Sequence, residues 1–151
     1  MGKSRKKAGR KQNPEARGAV AGGNPNAFFN EKPAWKFCMA DKEQWSPLLQ
    51  TQGMGEKVIP TLFNYEGMMW KEILANKKIN HPIDVQSLNQ CAIKRLEELS
   101  IEAESLYSLH IQGGQRLYGL VEGDGTFQLI WYDMEHGDTD TCVCRSRKKG
   151  T

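Results

Sequence analysis

Four side chains in the C-terminal part of the chain could do chemistry together: Arg116, Tyr118, Asp133 and His136. A guanidinium grips phosphate oxygens with two parallel donors. A phenol stacks on a base or orients a proton, and an imidazole takes and returns protons near neutral pH. Asp133 would fix the orientation of the His136 ring. RNA cleavage without a metal needs such a set: a base for the ribose hydroxyl, a cation for the charged transition state, and an acid for the departing oxygen. The same residues also have a purely structural reading, in which Arg116 pairs with Asp133 across a hairpin and His136 caps a strand. His81, before a proline in a connecting loop, and His110, on a strand face, are read as structural. No phosphate-binding glycine loop, nucleophile elbow or His-Glu-x-x-His pattern occurs.

Two runs of strand-forming residues carry the four. Arg116-Leu117-Tyr118-Gly119 and Phe127 through Asp133 flank the turn Glu122-Gly123-Asp124-Gly125. Side chains alternate along a strand, which places Phe127, Leu129 and Trp131 on one packed face. Leu106 to Ile111 alternates in the same way, and Gln112-Gly113-Gly114-Gln115 supplies a hairpin turn. Strands near 106–112, 115–122 and 127–133 therefore form an antiparallel meander, with Cys142-Val143-Cys144 as a short fourth.

Upstream, a helix is expected over 61–77, with Tyr65, Met69 and Ile73 on one row and Phe63, Trp70 and Leu74 on the next. Gly67 weakens that pattern. A second helix spans 85–99 through Val85, Leu88, Ala92, Leu96 and Leu99. Its start is either Asp84 or a capping box of Ser87 with Gln90. Residues 53–55 read as an exposed loop, and Trp35, Phe37 and Met39 as a short strand. The expected fold is α+β: two main helices on one face of a C-terminal antiparallel meander of three to four strands. Residues 1–30 are expected as a flexible basic arm, 31–144 as a single domain and 145–151 as a basic tail.

Charge is distributed unevenly along the 151 residues. Lys3, Arg5, Lys6, Lys7, Arg10, Lys11 and Arg17 stand against Glu15 alone, and Arg145, Arg147, Lys148 and Lys149 end the chain. The whole carries a net +3, so residues 18–144 carry −7. An acidic body with two basic ends offers no evident basic groove for duplex nucleic acid and points to arms that touch phosphates, the alternative being that both ends are merely solvated and disordered. Apolar content is 38% and mean hydropathy −0.64, which fit a modest core. No apolar run approaches the roughly 18 residues of a membrane span, and no apolar segment follows the basic start as in a secretory signal. A cytoplasmic protein is expected, with Cys38, Cys91, Cys142 and Cys144 as reduced thiols. The Cys142-Val143-Cys144 spacing is not that of a zinc knuckle, so neither metal nor cofactor is expected.

The chain resembles a family of small bacterial proteins often carried on mobile elements. The resemblance rests on Trp35-Lys36-Phe37, Met69-Trp70-Lys71-Glu72-Ile73, and Ser87-Leu88 with Ala92 and Arg95-Leu96-Glu97-Glu98-Leu99. It is densest in Leu106-Tyr107-Ser108-Leu109, Arg116-Leu117-Tyr118-Gly119 and Phe127 through Trp131-Tyr132-Asp133 to His136, and covers residues 33–149. Met134 stands where members commonly have proline, and Gly150 replaces a frequent histidine. A more distant similarity is to toxins of the RelE and ParE superfamily. RelE-like members cut messenger RNA on the ribosome with basic and aromatic residues of the sheet, and ParE-like members bind a topoisomerase. The resemblance implies a toxin-like protein acting on RNA or the ribosome through Arg116, Tyr118, Asp133 and His136, with an antitoxin-like partner. The alternative is a non-enzymatic accessory protein that binds nucleic acid or protein through its basic ends.

Overall fold

A five-stranded mixed sheet forms the centre of the molecule. The computed structural model describes residues 27–134 and 142–144; His136, the basic tail and the cationic part of the N-terminal arm lie outside the described residues. The strands are β1 (Ala34–Lys36), β2 (His81–Asp84), β3 (Ser105–Ile111), β4 (Gln115–Val121) and β5 (Thr126–Asp133), in the spatial order β1-β5-β4-β3-β2. β3, β4 and β5 are the expected meander. β1 joins it in parallel beside β5, pairing Trp35 with Phe127, and β2 adds the opposite edge, pairing His81 with Ser108. The sheet thus has five strands rather than three or four. His81 and Pro82, expected in a loop, lie on an edge strand, where proline's missing N–H costs no ladder bond.

The helices cover both faces, not one. α1 (Thr51–Gly53) runs through a π turn (Met54–Val58) into α2 (Ile59–Glu66), and α3 (Trp70–Ile73) follows. Val58, Leu62, Trp70 and Ile73 pack with Leu109, Ile111, Leu117, Phe127, Leu129 and Tyr132. On the other face α4 (Gln90–Glu98) sets Ala92 and Leu96 against Leu106, Tyr118, Ile130 and Trp131. The helix expected over 61–77 begins ten residues earlier, absorbs the presumed loop at 53–55 and stops at Gly67. There Glu72 accepts a bond from the Met69 N–H at 2.9 Å and starts a separate turn. Phe63, assigned to the core by spacing, is 72% exposed, because α2 ends at Gly67 and Trp70 starts a separate helix, so Phe63 no longer shares a helix face with Trp70 and Leu74.

One irregularity decides which face the last strand shows to each core. Tyr118 pairs with Trp131 and Gly119 with Leu129, so Ile130 is an extra residue in β5. Phe127 and Leu129 then face the first core, while Ile130 and Trp131 face α4. The three-residue face expected of Phe127, Leu129 and Trp131 is broken there. Gly119 allows the close approach: a Cβ at this position would overlap the Gln128 carbonyl oxygen and the Phe127 ring.

The first core is aromatic. Phe28, in a 3-10 turn (Ala27–Asn30), is buried edge-on to Trp70 at 5.8 Å and Tyr107 at 5.6 Å. The body therefore includes residues N-terminal to the boundary expected at 31. Trp70 donates its indole N–H to the Gly125 carbonyl at 2.8 Å, tying α3 to the β4–β5 turn. Asn80 joins three more elements: it accepts from the His110 N–H at 2.7 Å and donates to the Ile73 carbonyl and the Tyr65 hydroxyl, each at 3.0 Å. In the β3–β4 turn Gly113 and Gly114 take φ of 75° and 82°, a region open to glycine.

Gly119→Ala is expected to lower stability by about 1–3 kcal/mol, since the methyl meets backbone rather than a yielding side chain. Urea unfolding with an unchanged slope is the measurement, and an unaltered midpoint would refute this account of the bulge.

Candidate functional site

Arg116 and Tyr118 project from β4, and Asp133 from the end of β5, all onto the face that α4 covers. Register makes Arg116 the direct cross-strand partner of both His110 and Asp133, with Tyr118 one pleat away. Three of the four residues expected to form a site are thus brought together, while His136 lies outside the described residues. They are not at an open rim. Tyr118 is 0% exposed, Asp133 1% and Arg116 9%.

Each of the three has structural work. Arg116 reaches toward β2, and its Nη1 donates to the Ile79 carbonyl. Asp133 turns the other way and accepts the Val143 N–H at 2.8 Å. The Tyr118 oxygen lies 2.9 Å from Cys144 Sγ, a hydrogen bond either atom can donate. Burial pushes the Tyr118 phenol far above its ordinary range, and the neighbouring Cys144 and Asp133 add to that. The Cys144 thiol is also raised, chiefly by burial. A phenol and thiol in this state are held neutral and shuttle no protons near neutral pH.

The residues they hold are Cys142, Val143 and Cys144. This segment does not extend the sheet as expected; it forms an isolated bridge from Cys144 to Leu88 just before α4. Asn89, at the N-cap of α4, makes no capping bond with its side chain. The side-chain amide donates instead to the Cys142 and Cys144 carbonyls at 2.6 and 3.0 Å, and the Asn89 N–H donates to the Val143 carbonyl at 2.9 Å. The helix start proposed at Asp84 or Ser87 is displaced because Val85–Ser87 forms a separate 3-10 turn. Asn89, Tyr118 and Asp133 together bolt residues 142–144 to α4 and the sheet.

A second charged centre lies beside the first, and sequence spacing gave no hint of it. Asp41, 0% exposed, accepts Arg95 Nε and Nη2 at 2.8 Å each and Trp131 Nε1 at 2.9 Å. The N–H groups of Glu43 and Gln44 complete its shell at 2.9 and 3.2 Å. Burial alone would raise the carboxyl's pKa, but Arg95 and the other donors hold it well below the usual carboxylate range. Arg95 is pushed up in turn, first by Asp41 and then by Glu98. A shallow groove of about 470 Å³ opens alongside, between Met39, Lys42 and Ile101, but its guanidinium is already committed to Asp41, Glu43 and Glu98. Among the described residues no three His, Cys, Asp or Glu side chains gather as a metal site, and the cysteines are free thiols. None of the described helices is long and apolar enough to cross a membrane. No protein family, curated protein or solved structure matches the chain.

Asn89→Ala is expected to leave the fold intact while speeding hydrogen exchange at the Val143 amide by at least about tenfold, equal to 1.4 kcal/mol of local opening. Unchanged protection there would show that Asn89 does not hold the segment. Asp41 makes a prediction in pH. A carboxyl with a depressed folded pKa stabilises fully above its unfolded value of about 3.9 and loses that contribution as the pH falls through the folded value. Asp41→Asn is therefore expected to cost about 2–4 kcal/mol near neutrality. Urea midpoints should show the deficit narrowing in acid; a deficit independent of pH would contradict the ionised carboxylate.

Proposed function

We propose that this protein is a non-enzymatic nucleic-acid-binding accessory module that holds phosphates with its basic ends. The observation that carries this reading is how the C-terminal polar cluster is used: Tyr118, Asp133 and Asn89 spend their hydrogen bonds on Cys142–Cys144. The next residue is Arg145, the first cation of the tail. An anchored segment gives that tail a fixed point of departure from the body. Charge supports the same reading, since the described residues hold fourteen Asp and Glu against ten Lys and Arg. An acidic body repels a polyanion, so attraction falls to Lys3, Arg5, Lys6, Lys7, Arg10 and Lys11 at one end and to Arg145, Arg147, Lys148 and Lys149 at the other.

A second reading, RNA cleavage by a toxin-like protein with an antitoxin-like partner, is favoured by one fact: Arg116, Tyr118 and Asp133 share one sheet face. It would require the Tyr118 and Asp133 bonds to 142–144 to open before RNA could reach them. Cleavage of RNA or ribosome-bound messenger, lost in His136→Ala, would establish it.

Binding of single-stranded RNA should weaken steeply with salt, the logarithmic slope giving about 0.7 per neutralised phosphate. Deleting residues 1–17 is expected to flatten that slope and weaken binding at least about tenfold at low salt. Fluorescence anisotropy across a salt series is the measurement, and a slope unaffected by the deletion would sink the proposal.

A further inference from the structure

The shallow groove beside the Asp41–Arg95 pair is lined by apolar Met39, Ala40, Leu99 and Ile101, with Cys38 and Lys42 among them. It lies at the C-terminal end of α4. Ser100 closes that helix in the left-handed region at φ 58°, and the Ile101 N–H turns back to the Leu96 carbonyl at 3.0 Å. A helix C-terminus carries partial negative charge and favours cations in its last turn. The last turn of α4 instead holds Glu97 and Glu98 beside Arg95, whose guanidinium is already taken by Asp41, Glu43 and Glu98. Glu43 and Glu98 remain 77% and 48% exposed. In or next to the lining, Asp41, Glu43, Glu97, Glu98 and Glu102 stand against Arg95 and Lys42, and no lysine or arginine follows in the chain until Arg116. An apolar floor with an acidic lip suits a chain rich in Lys and Arg: methylene stems cover the apolar side chains while the charged heads stay at the rim.

A segment of that kind starts one helix length away. Cys144 bridges Leu88, immediately before Asn89 at the N-terminal end of α4. The nine residues of α4 span about 14 Å. Arg145-Ser146-Arg147-Lys148-Lys149, drawn out, covers about 17 Å, enough to bring its last cations to the groove. Cys91 and Glu98 are exposed and flank Arg95 at spacings of four and three, so one side of α4 leads from the anchor to the acidic lip. The N-terminal arm is placed less well. Nine residues separate Arg17 from Ala27, and Phe28 enters the core on the opposite face of the sheet.

We propose that the basic tail, Arg145 to Lys149, docks in this groove as an intramolecular ligand, with Arg147, Lys148 and Lys149 set against Glu43, Glu98 and the C-terminal end of α4. No bond is made or broken. For a nucleic-acid-binding protein the contact is autoinhibitory, since a polyanion must displace the carboxylates before it gains the tail. That consequence rests on the phosphate-holding role proposed above; the docking itself does not.

Disulfide capture in the full chain tests it. Gly150→Cys adds a thiol near the end of the tail, while Cys38 in the groove and Cys91 near the anchor are exposed native thiols. Each rate is read relative to that thiol's own reaction with glutathione. In dilute protein under oxidised glutathione, capture is expected at least about tenfold faster at Cys38 than at Cys91, because docking raises the local concentration. The preference should fall at least about threefold when Glu43→Gln and Glu98→Gln are combined, and vanish in 1 M salt, where the screening length is about 3 Å. Both glutamates are exposed and Asp41 keeps its hold on Arg95, so an unchanged melting temperature checks that this variant folds. Equal capture at the two thiols, a preference indifferent to salt and to the two glutamates, or capture between two molecules would each overturn the proposal. Loss of the preference on deleting residues 1–17 would give the groove to the N-terminal arm and end it as well. The RNA salt series reads phosphate binding separately, so either result can fail alone.

Discussion

The Asp41 carboxylate is the interaction on which the α4 side of the molecule depends. It joins three parts distant in sequence: the segment after β1, the middle of α4 through Arg95, and β5 through Trp131. A carboxylate can be this well covered only when charge-assisted donors replace water, and five do so here. The attachment also orders the backbone. The Asp41 N–H donates to the Ile130 carbonyl at 2.9 Å, and the Tyr132 N–H to the Trp45 carbonyl at 2.7 Å, so residues 41–45 continue along β5 beyond the end of β1. Trp45, held in the left-handed region at φ 48°, sets its ring edge-on to Trp131 with the centroids 4.9 Å apart. That backbone costs about 1–2 kcal/mol, offset by the contacts it permits.

The bulge at Ile130 follows from the same arrangement. Residues 130 and 132 both bond to the 41–45 segment, and Trp131 between them sends its indole to Asp41. Inserting one residue in β5 turns Trp131 to the α4 side and keeps Phe127 and Leu129 on the other. A sheet that looks like a one-sided meander in the sequence is thereby packed on both faces. The two cores differ in kind: an aromatic cluster around Trp70 and Phe127 on one side, and polar anchors among aliphatic residues on the other.

The polar anchors change the meaning of the residues that first looked reactive. Chemistry at a phosphate needs groups that are free to exchange protons, and Tyr118 and Cys144 are held neutral by burial against each other. What this cluster does in the fold is fasten the chain just before its last cations, which supports a binding role for those cations. Arg116 is the exception within the cluster, since part of its donor capacity is unused.

The amino-acid order alone determined the meander, because period-two alternation from Leu106 to Asp133 and the paired glycines at 113 and 114 are local signals that no distant contact needs to supply. It also determined the presence of α4 and the segregation of charge. Residues that change role through distant partners were not legible. Asn89, where the cap was expected at Asp84 or Ser87, serves as a clamp for residues 142–144, and Asp41 meets Arg95 from 54 positions away. The second packed face, the helix break at Gly67 that leaves Phe63 exposed and the burial of Arg116, Tyr118 and Asp133 were decided only in three dimensions. Backbone preference acts over a few residues, whereas desolvation and close packing act on whatever the folded chain brings together.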